Sequence, residues 1–420
     1  MKILVISNCY PPYHAGGYGV LCYQLSEGLA VRGHSVTVLT ARVAAQAEHP
    51  GGFVNSVRVE RALHFTEPSG PVGIVVNTFR NHREVMRSIK RFAPDLIYVF
   101  SIDGLGYEVY HTAIASGVPV VTVVGDTWLA QTWRDLPRFD RWIALANGKG
   151  AGSFLRLAKR LIGRVGKLAG LFVGERPAFV GPVHAISTFL LDDLRFAGLP
   201  LDARSVLIRI PLAQAFLDVN GYPIGPTGAD YAGDLRVLFL SRMEILKGPD
   251  TAIRALAAAR RKGGRARLTL AGIGAEELRP QLDGLARELA VSALVEWQDA
   301  PDINALVRLY RAHDVFVFPS RITEGLGMVC VEAMACGLPV IGSVTGGQAD
   351  LIDDGKTGYR VDQEDYESIA GRLCELDADR SLLARLSRAA QERASLYNGN
   401  RVLDAVNQSL MEMPCVFKRG

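Results

Sequence analysis

The sequence predicts an α/β protein with two parallel-sheet domains, and three observations carry that expectation. Apolar runs of strand length alternate with helical patterns from residue 1 to about 212. The alternation stops over residues 213–234, where Asn220-Gly-Tyr-Pro-Ile-Gly-Pro-Thr-Gly228 forms a proline- and glycine-rich connector, and resumes from about 235 to 395. The runs are apolar on consecutive residues, as strands covered by helices on both faces must be. With 420 residues, 49% of them hydrophobic, the chain can bury two full cores.

Each element follows from its residues. Met1-Lys-Ile-Leu-Val-Ile-Ser7 is a first strand that turns polar at Asn8, and a loop with Gly16, Gly17 and Gly19 follows it. Residues 29–40, 94–100 and 117–124 supply further strands. In the second half, Leu235-Arg-Val-Leu-Phe-Leu-Ser241 leads through a loop carrying Arg242 and Lys247 into a helical run over 251–260. Leu268-Thr-Leu-Ala-Gly-Ile-Gly274 repeats the pattern of a strand followed by glycine. Asp314-Val-Phe-Val-Phe-Pro-Ser320 is a buried strand stopped by Pro319. The helix after it starts near Gly325 to Gly327 and ends at Gly337. Residues 339–347 end in the pair Gly346-Gly347. The tail over 396–420 is helical by pattern, with Val402, Leu403, Val406, Leu410 and Met411 on one face.

The most informative stretch is Glu324-Gly-Leu-Gly-Met-Val-Cys-Val-Glu332. A helix opening at the carboxyl edge of a parallel sheet points free backbone N–H groups and its positive dipole end outward, where they attract a phosphate. A carboxylate there is an electrostatic error unless hydroxyl groups donate to it, and sugar and ribose hydroxyls are the obvious donors. Taken singly, Glu324 could serve only the helix dipole and Glu332 only a solvated face. Arg242 and Lys247 occupy an equivalent loop, either reaching a ligand or pairing on the surface with Glu244 or Asp250.

In order and approximate spacing, these residues resemble the nucleotide-sugar-dependent retaining glycosyltransferases of family 4, glycosyl transferases group 1. The resemblance covers most of the chain. It implies the GT-B architecture: an acceptor-side Rossmann-like domain over 1–212, a linker over 213–234, a donor-binding domain over 235–395, and a last helix over 396–420 crossing back to the first domain. It also implies that Glu324 holds the donor sugar and Glu332 the nucleotide ribose. The backbone of Gly325, Leu326, Gly327, Met328 and Val329 would line the donor, and Gly16 and Gly17 would meet the diphosphate from across the cleft.

Glycosyl transfer builds negative charge on the leaving diphosphate. The single Asp-x-Asp triplet, Asp377-Ala-Asp379, lies in a late polar stretch and reads as a solvated turn, so no metal and no cofactor are expected. Arg242 and Lys247 take the metal's place. Relatives often carry a histidine at the end of the strand before the cleft, whereas this chain reads Val124-Gly125-Asp126-Thr127-Trp128. Asp126 either assumes part of that role as a fourth catalytic residue or caps the following helix. Trp297 stands at a strand end, either touching the base or packing in the core. A catalytically silent nucleotide-sugar binder, a partner subunit and a sugar-nucleotide epimerase are the rival readings. A dinucleotide oxidoreductase is disfavoured because no G-x-G-x-x-G follows the first strand.

The formal charge of +4 does not suggest nucleic acid. The six cysteines contain no C-x-x-C pair, no apolar stretch approaches the roughly eighteen residues of a membrane span, and the amino end reads as a core strand without a signal peptide. A reduced cytoplasmic protein is expected, with a UDP- or GDP-linked sugar as donor and a hydroxyl acceptor. Within an insert over about 149–173, residues 153–173 combine Phe154, Leu157, Leu161, Val165, Leu168 and Phe172 at helical spacing with Arg156, Lys159, Arg160, Arg164 and Lys167. That segment either lies peripherally on the inner face of an anionic membrane, near a lipid-linked acceptor, or packs on the first domain.

Overall fold

The computed structural model describes residues 1–12, 17–42, 56–66, 71–134, 181–218, 221, 223–225, 233–299 and 303–413. Gly16, Cys415 and the basic segment 153–173 therefore lie outside the described residues. The chain divides into two compact units. Unit 1 comprises Met1–Ile186, Leu190–Ile208 and Leu403–Gly420; unit 2 comprises Ser187–Phe189 and Arg209–Val402.

Among its described residues unit 1 has seven parallel strands, β1 (Lys2–Ser7), β2 (Ser35–Ala41), β3 (Arg58–Leu63), β4 (Leu96–Val99), β5 (Val120–Val124), β6 (Val183–Ala185) and β7 (Val206–Leu207). Their order is β3-β2-β1-β4-β5-β6-β7. Helices α1 (Gly17–Val31), α2 (Pro71–Phe92), α3 (Glu108–Ala115), α4 (Trp128–Arg134) and α5 (Thr188–Phe196) occupy the connections. Ile3, Leu4, Val5 and Ile6 are fully buried, so consecutive residues of β1 point into apolar surroundings on both faces.

Among its described residues unit 2 has six parallel strands, β8 (Leu235–Leu240), β9 (Ala266–Ala271), β10 (Val295–Gln298), β11 (Val315–Phe318), β12 (Val340–Ser343) and β13 (Gly358–Val361), in the order β10-β9-β8-β11-β12-β13. Helices α6 (Pro249–Arg261), α7 (Ala275–Glu288), α8 (Ile303–Arg311), α9 (Met328–Ala335), α10 (Tyr366–Ala378) and α11 (Arg380–Ala394) alternate with them. Val237, Phe239, Val315, Val317 and Ile341 from the sheet meet Ile253 and Leu256 of α6 in one core. In each unit the strand order reverses once, between β1 and β4 and between β8 and β11. A ligand binds an open α/β sheet at such a reversal, beyond the carboxyl ends of the strands.

The last helix, α12 (Gly399–Glu412), enters unit 1 from Leu403 onward. Gly28 of α1 makes room for it, because a Cβ there would stand 2.3 Å from a Leu403 methyl. Arg32 pairs with Asp404 at 2.7 Å, and His34 Nε2 lies 2.6 Å from Asn407 Oδ1. The His184 ring lies between Tyr98 Oη, 2.8 Å from Nδ1, and Ser409 Oγ, 3.0 Å from Nε2. Burial pushes its pKa down to about 3, so it stays neutral. Val402, Val406, Leu410 and Met413 face inward, whereas Met411 is half exposed. This corrects the expected apolar face by one position, since a step from 410 to 413 keeps the helical stripe and a step to 411 leaves it. No described helix is long and apolar enough to cross a membrane.

Candidate active site

In unit 2 the loops after β8 and β11 meet at the strand-order reversal. The first turns through a 3₁₀ segment, Ile245–Lys247, and delivers Lys247 almost buried. Its Nζ lies 2.6 Å from Glu324 Oε1, and Ser320 Oγ donates to the same oxygen at 2.8 Å. Both contacts land on Oε1. The carboxylate is thereby oriented by two loops 77 residues apart in sequence.

Backbone packing holds Glu324 from a third side. A Cβ on Gly346 would stand 2.2 Å from the Glu324 carbonyl oxygen, and one on Gly347 would stand 1.9 Å from that of Gly325. The Gly347 N–H donates to the Glu324 carbonyl at 2.9 Å. The paired glycines after β12 thus serve close approach to the turn that carries the carboxylate.

α9 begins after Gly327, which is left-handed at φ 87° and offers no side-chain cap. The first N–H groups of this helix are therefore not taken by a capping side chain, and its dipole favours an anion. Gly325, Leu326 and Gly327 precede the helix and Met328 and Val329 open it, so its start falls where the sequence placed it, near Gly325 to Gly327. Glu332 lies one turn further in, and the single proton of the Tyr310 hydroxyl of α8 is shared between its Oε2 at 3.0 Å and the Val329 carbonyl at 3.2 Å. Burial raises the Glu332 carboxyl to about 7, opposed in part by the tyrosine hydrogen bond.

Arg242 is exposed and paired with Glu244 at 2.7 Å, so in this structure it takes the surface partner that the sequence offered it. Asp250 goes elsewhere. Arg321 holds it with two nitrogens, at 3.0 and 2.7 Å, while bonding Glu364 at 2.7 Å and the Ile245 carbonyl. Arg321 thus fixes the loop bearing Lys247, and sequence reading missed it although it stands three residues before Glu324. Ser320, four residues before Glu324 on the same loop, was the other available signal. Tyr310 gave none, being 22 residues from Glu332 on another helix. Trp297 donates to Asp283 at 2.8 Å and lies under Arg279, a packing role on α7. Asp377 bonds Arg380 and the Arg265 backbone, and Asp379 caps α11. The Asp-x-Asp triplet thus ties a helix junction together.

In unit 1, Gly17 is the first residue of α1. Asp126 Oδ1 accepts the Trp128 N–H at 2.9 Å and so caps α4. Burial raises its carboxyl, the Trp128 bond opposes this, and Asp103 adds to the rise. The neighbouring glycine has a steric cause: a Cβ on Gly125 would stand 2.0 Å from Tyr18 Cε2, and the Tyr18 hydroxyl donates to the Val123 carbonyl. The tyrosine ring fills the space in which a side chain at 125 would begin.

Two Rossmann-like parallel-sheet units, each with one strand-order reversal, are the fold of the GT-B class of glycosyltransferases. Comparison with known proteins agrees. The sequence model described as Glycosyl transferases group 1 matches residues 229–393, and the one described as Glycosyltransferase Family 4 matches residues 15–163. A D-inositol 3-phosphate glycosyltransferase of Frankia alni is 27% identical over 403 residues, covering 91% of this chain and 90% of its own. Sucrose-phosphate synthase from Thermosynechococcus elongatus superposes with a TM-score of 0.70 at 20% identity, over 99% of both chains. Anabaena HepE, solved in complex with UDP-glucose, gives 0.65 at 20% identity over 98% of this chain and 99% of its own. The chain belongs to the family 4 type of GT-B glycosyltransferases and is an enzyme of that class.

Proposed function

We propose that the protein transfers a sugar from a UDP- or GDP-linked donor to an acceptor hydroxyl, with retention of configuration and without a metal or other cofactor. The observation that carries this reading is the Lys247–Glu324 pair beside the uncapped start of α9. The bond from the anomeric carbon to the diphosphate oxygen breaks, the acceptor oxygen bonds that carbon from the same face, and its proton passes to the departing phosphate. Lys247, assisted by Arg242 once it exchanges Glu244 for phosphate, stabilises the growing negative charge. Glu324 orients the sugar through its hydroxyls, Glu332 accepts from the ribose, and Asp126 serves the acceptor side. The free thiols of the five described cysteines suit a reducing cytoplasm.

The named relatives suggest the first reagents, UDP-glucose as donor and an inositol phosphate among a panel of hydroxyl acceptors. Donor at a hundred times its dissociation constant is expected to stabilise the fold by about 2.7 kcal/mol. Addition of the acceptor is expected to release nucleoside diphosphate equally with and without chelator, and the product anomer, read by NMR, keeps the donor's configuration. A requirement for magnesium, or an inverted product, overturns the proposal.

Glu332 gives this reading a pH signature. Its folded carboxyl sits near 7, above the ordinary 4.5. Its contribution to stability is therefore full below about pH 4.5 and is lost as pH rises through about 7. Ribose hydroxyls favour the ionised form, so donor binding at pH 6 is expected to release protons. Calorimetry in two buffers of different ionisation enthalpy measures that release, and Glu332→Gln is expected to abolish it.

A further inference from the structure

Gln348 lies in the 3₁₀ turn Gly347–Asp350 that follows β12, and it is fully buried. Its backbone is well used: the carbonyl accepts the N–H groups of Leu351 and Ile352, each at 3.0 Å. Its side chain is not. Neither the amide oxygen nor the amide nitrogen has a hydrogen-bond partner, and among the described residues no other side chain has two such atoms. Each group of a buried amide left unsatisfied carries its full desolvation penalty, which a ligand can offset.

The surroundings say which kind of ligand. The Gln348 Cγ lies 3.7 Å from the point where a side chain on Gly327 would begin, next to Cys330 Sγ at 3.4 Å and Phe318 Cε1 at 3.6 Å. Gly327 thus leaves a small slot at the mouth of α9, walled by an apolar ring, a thiol and the stem of an amide-bearing side chain. The Gly347 N–H meanwhile ties the turn directly to Glu324. A phosphate oxygen only accepts hydrogen bonds and would satisfy half of the amide. A hydroxyl both donates and accepts, and so matches both halves.

We infer that Gln348 is a specificity-determining residue that reads a hydroxyl of the donor sugar through the slot beside Gly327. This rests on the donor-site reading above and extends it, because it assigns the sugar, as distinct from the diphosphate, to a residue of the β12 turn. A site built to hydrogen-bond a hydroxyl discriminates strongly against ligands that lack it, since its own polar groups are then left unpaired.

The test is Gln348→Met, with Gln348→Leu as a second apolar replacement, each titrated with a nucleoside diphosphate alone and with its sugar-bearing form: UDP against UDP-glucose, and GDP against GDP-mannose. The parent chain is expected to bind one nucleoside diphosphate, and to gain affinity from the attached sugar. Both variants are expected to keep the affinity for the bare diphosphate within about twofold and to lose tenfold or more for the sugar form. Their unfolding midpoint is expected to stay level or rise, since an unsatisfied amide has been removed. Unchanged affinity for the sugar form, or an equal loss for both forms, overturns the assignment. A parent chain that binds no nucleotide in either form overturns the donor-site reading, and the assignment with it.

Discussion

Lys247→Ala is expected to lower glycosyl transfer by two or more decades while leaving the chain folded. Lys247 is the cation that the fold buries at the strand-order reversal of unit 2, 2.6 Å from Glu324. A unit charge about 4 Å from a phosphate oxygen contributes on the order of 4 kcal/mol of gross attraction at an intermediate dielectric. Two decades in rate correspond to about 2.7 kcal/mol, so the effect remains large after desolvation takes its share. The substitution also leaves Glu324 anchored by Ser320 alone, which loosens the carboxylate that would hold the sugar. Glu324→Gln removes the charge that pairs with Lys247 and is expected to match the loss. Arg242→Ala is expected to act in the same direction without touching stability, because its guanidinium is exposed. Turnover of donor together with thermal unfolding checks all three, and near-parental turnover throughout would remove these side chains from the chemistry.

Gly125→His is expected to destabilise unit 1 by about 1–3 kcal/mol or more, the usual cost of overpacking. Its Cβ would enter the Tyr18 ring, which is itself fixed by a hydrogen bond to the Val123 carbonyl. Tyr18→Ala alone opens a cavity and is expected to cost a comparable amount or more. The double variant Tyr18→Ala, Gly125→His is expected to be more stable than the sum of its parts, because the new ring occupies the space of the old one. Urea unfolding of the four proteins measures that coupling. A Gly125→His variant as stable as the parent would show that Tyr18 does not hold this position closed.

The departure at Gly125 shows what a single chain reveals and what it conceals. The absence of a histidine was legible, but its cause lies more than a hundred residues earlier at Tyr18, and no local pattern links the two. The strands and glycine stops were legible because parallel strands buried on both faces are apolar without interruption and their loops must turn sharply. For the same reason both partners of the central pair, Lys247 and Glu324, could be named from their loops. Their pairing could not, since it arises only when β8 and β11 lie side by side. Tyr310 and Gln348 escaped notice because an aromatic residue on an amphipathic helix and a glutamine in a turn are ordinary in sequence. Only burial makes them distinctive. Asp126 and Trp297 each had two readings, and the observed hydrogen bonds supply a helix cap and a packing contact respectively.

The return of α12 to the first sheet bears on how the chain emerges from the ribosome. The slot beside Gly28 and the ring of His184 wait for Leu403 and Ser409, which are synthesised only after all of unit 2. At about 5–20 residues per second, that interval is on the order of ten seconds or more. Throughout it, the space beside Gly28 lacks the Leu403 side chain that fills it in the folded protein. The sheet of unit 2 is complete at Val361, before Leu403 exists, so of the two units it is unit 1 that waits for the residues made last.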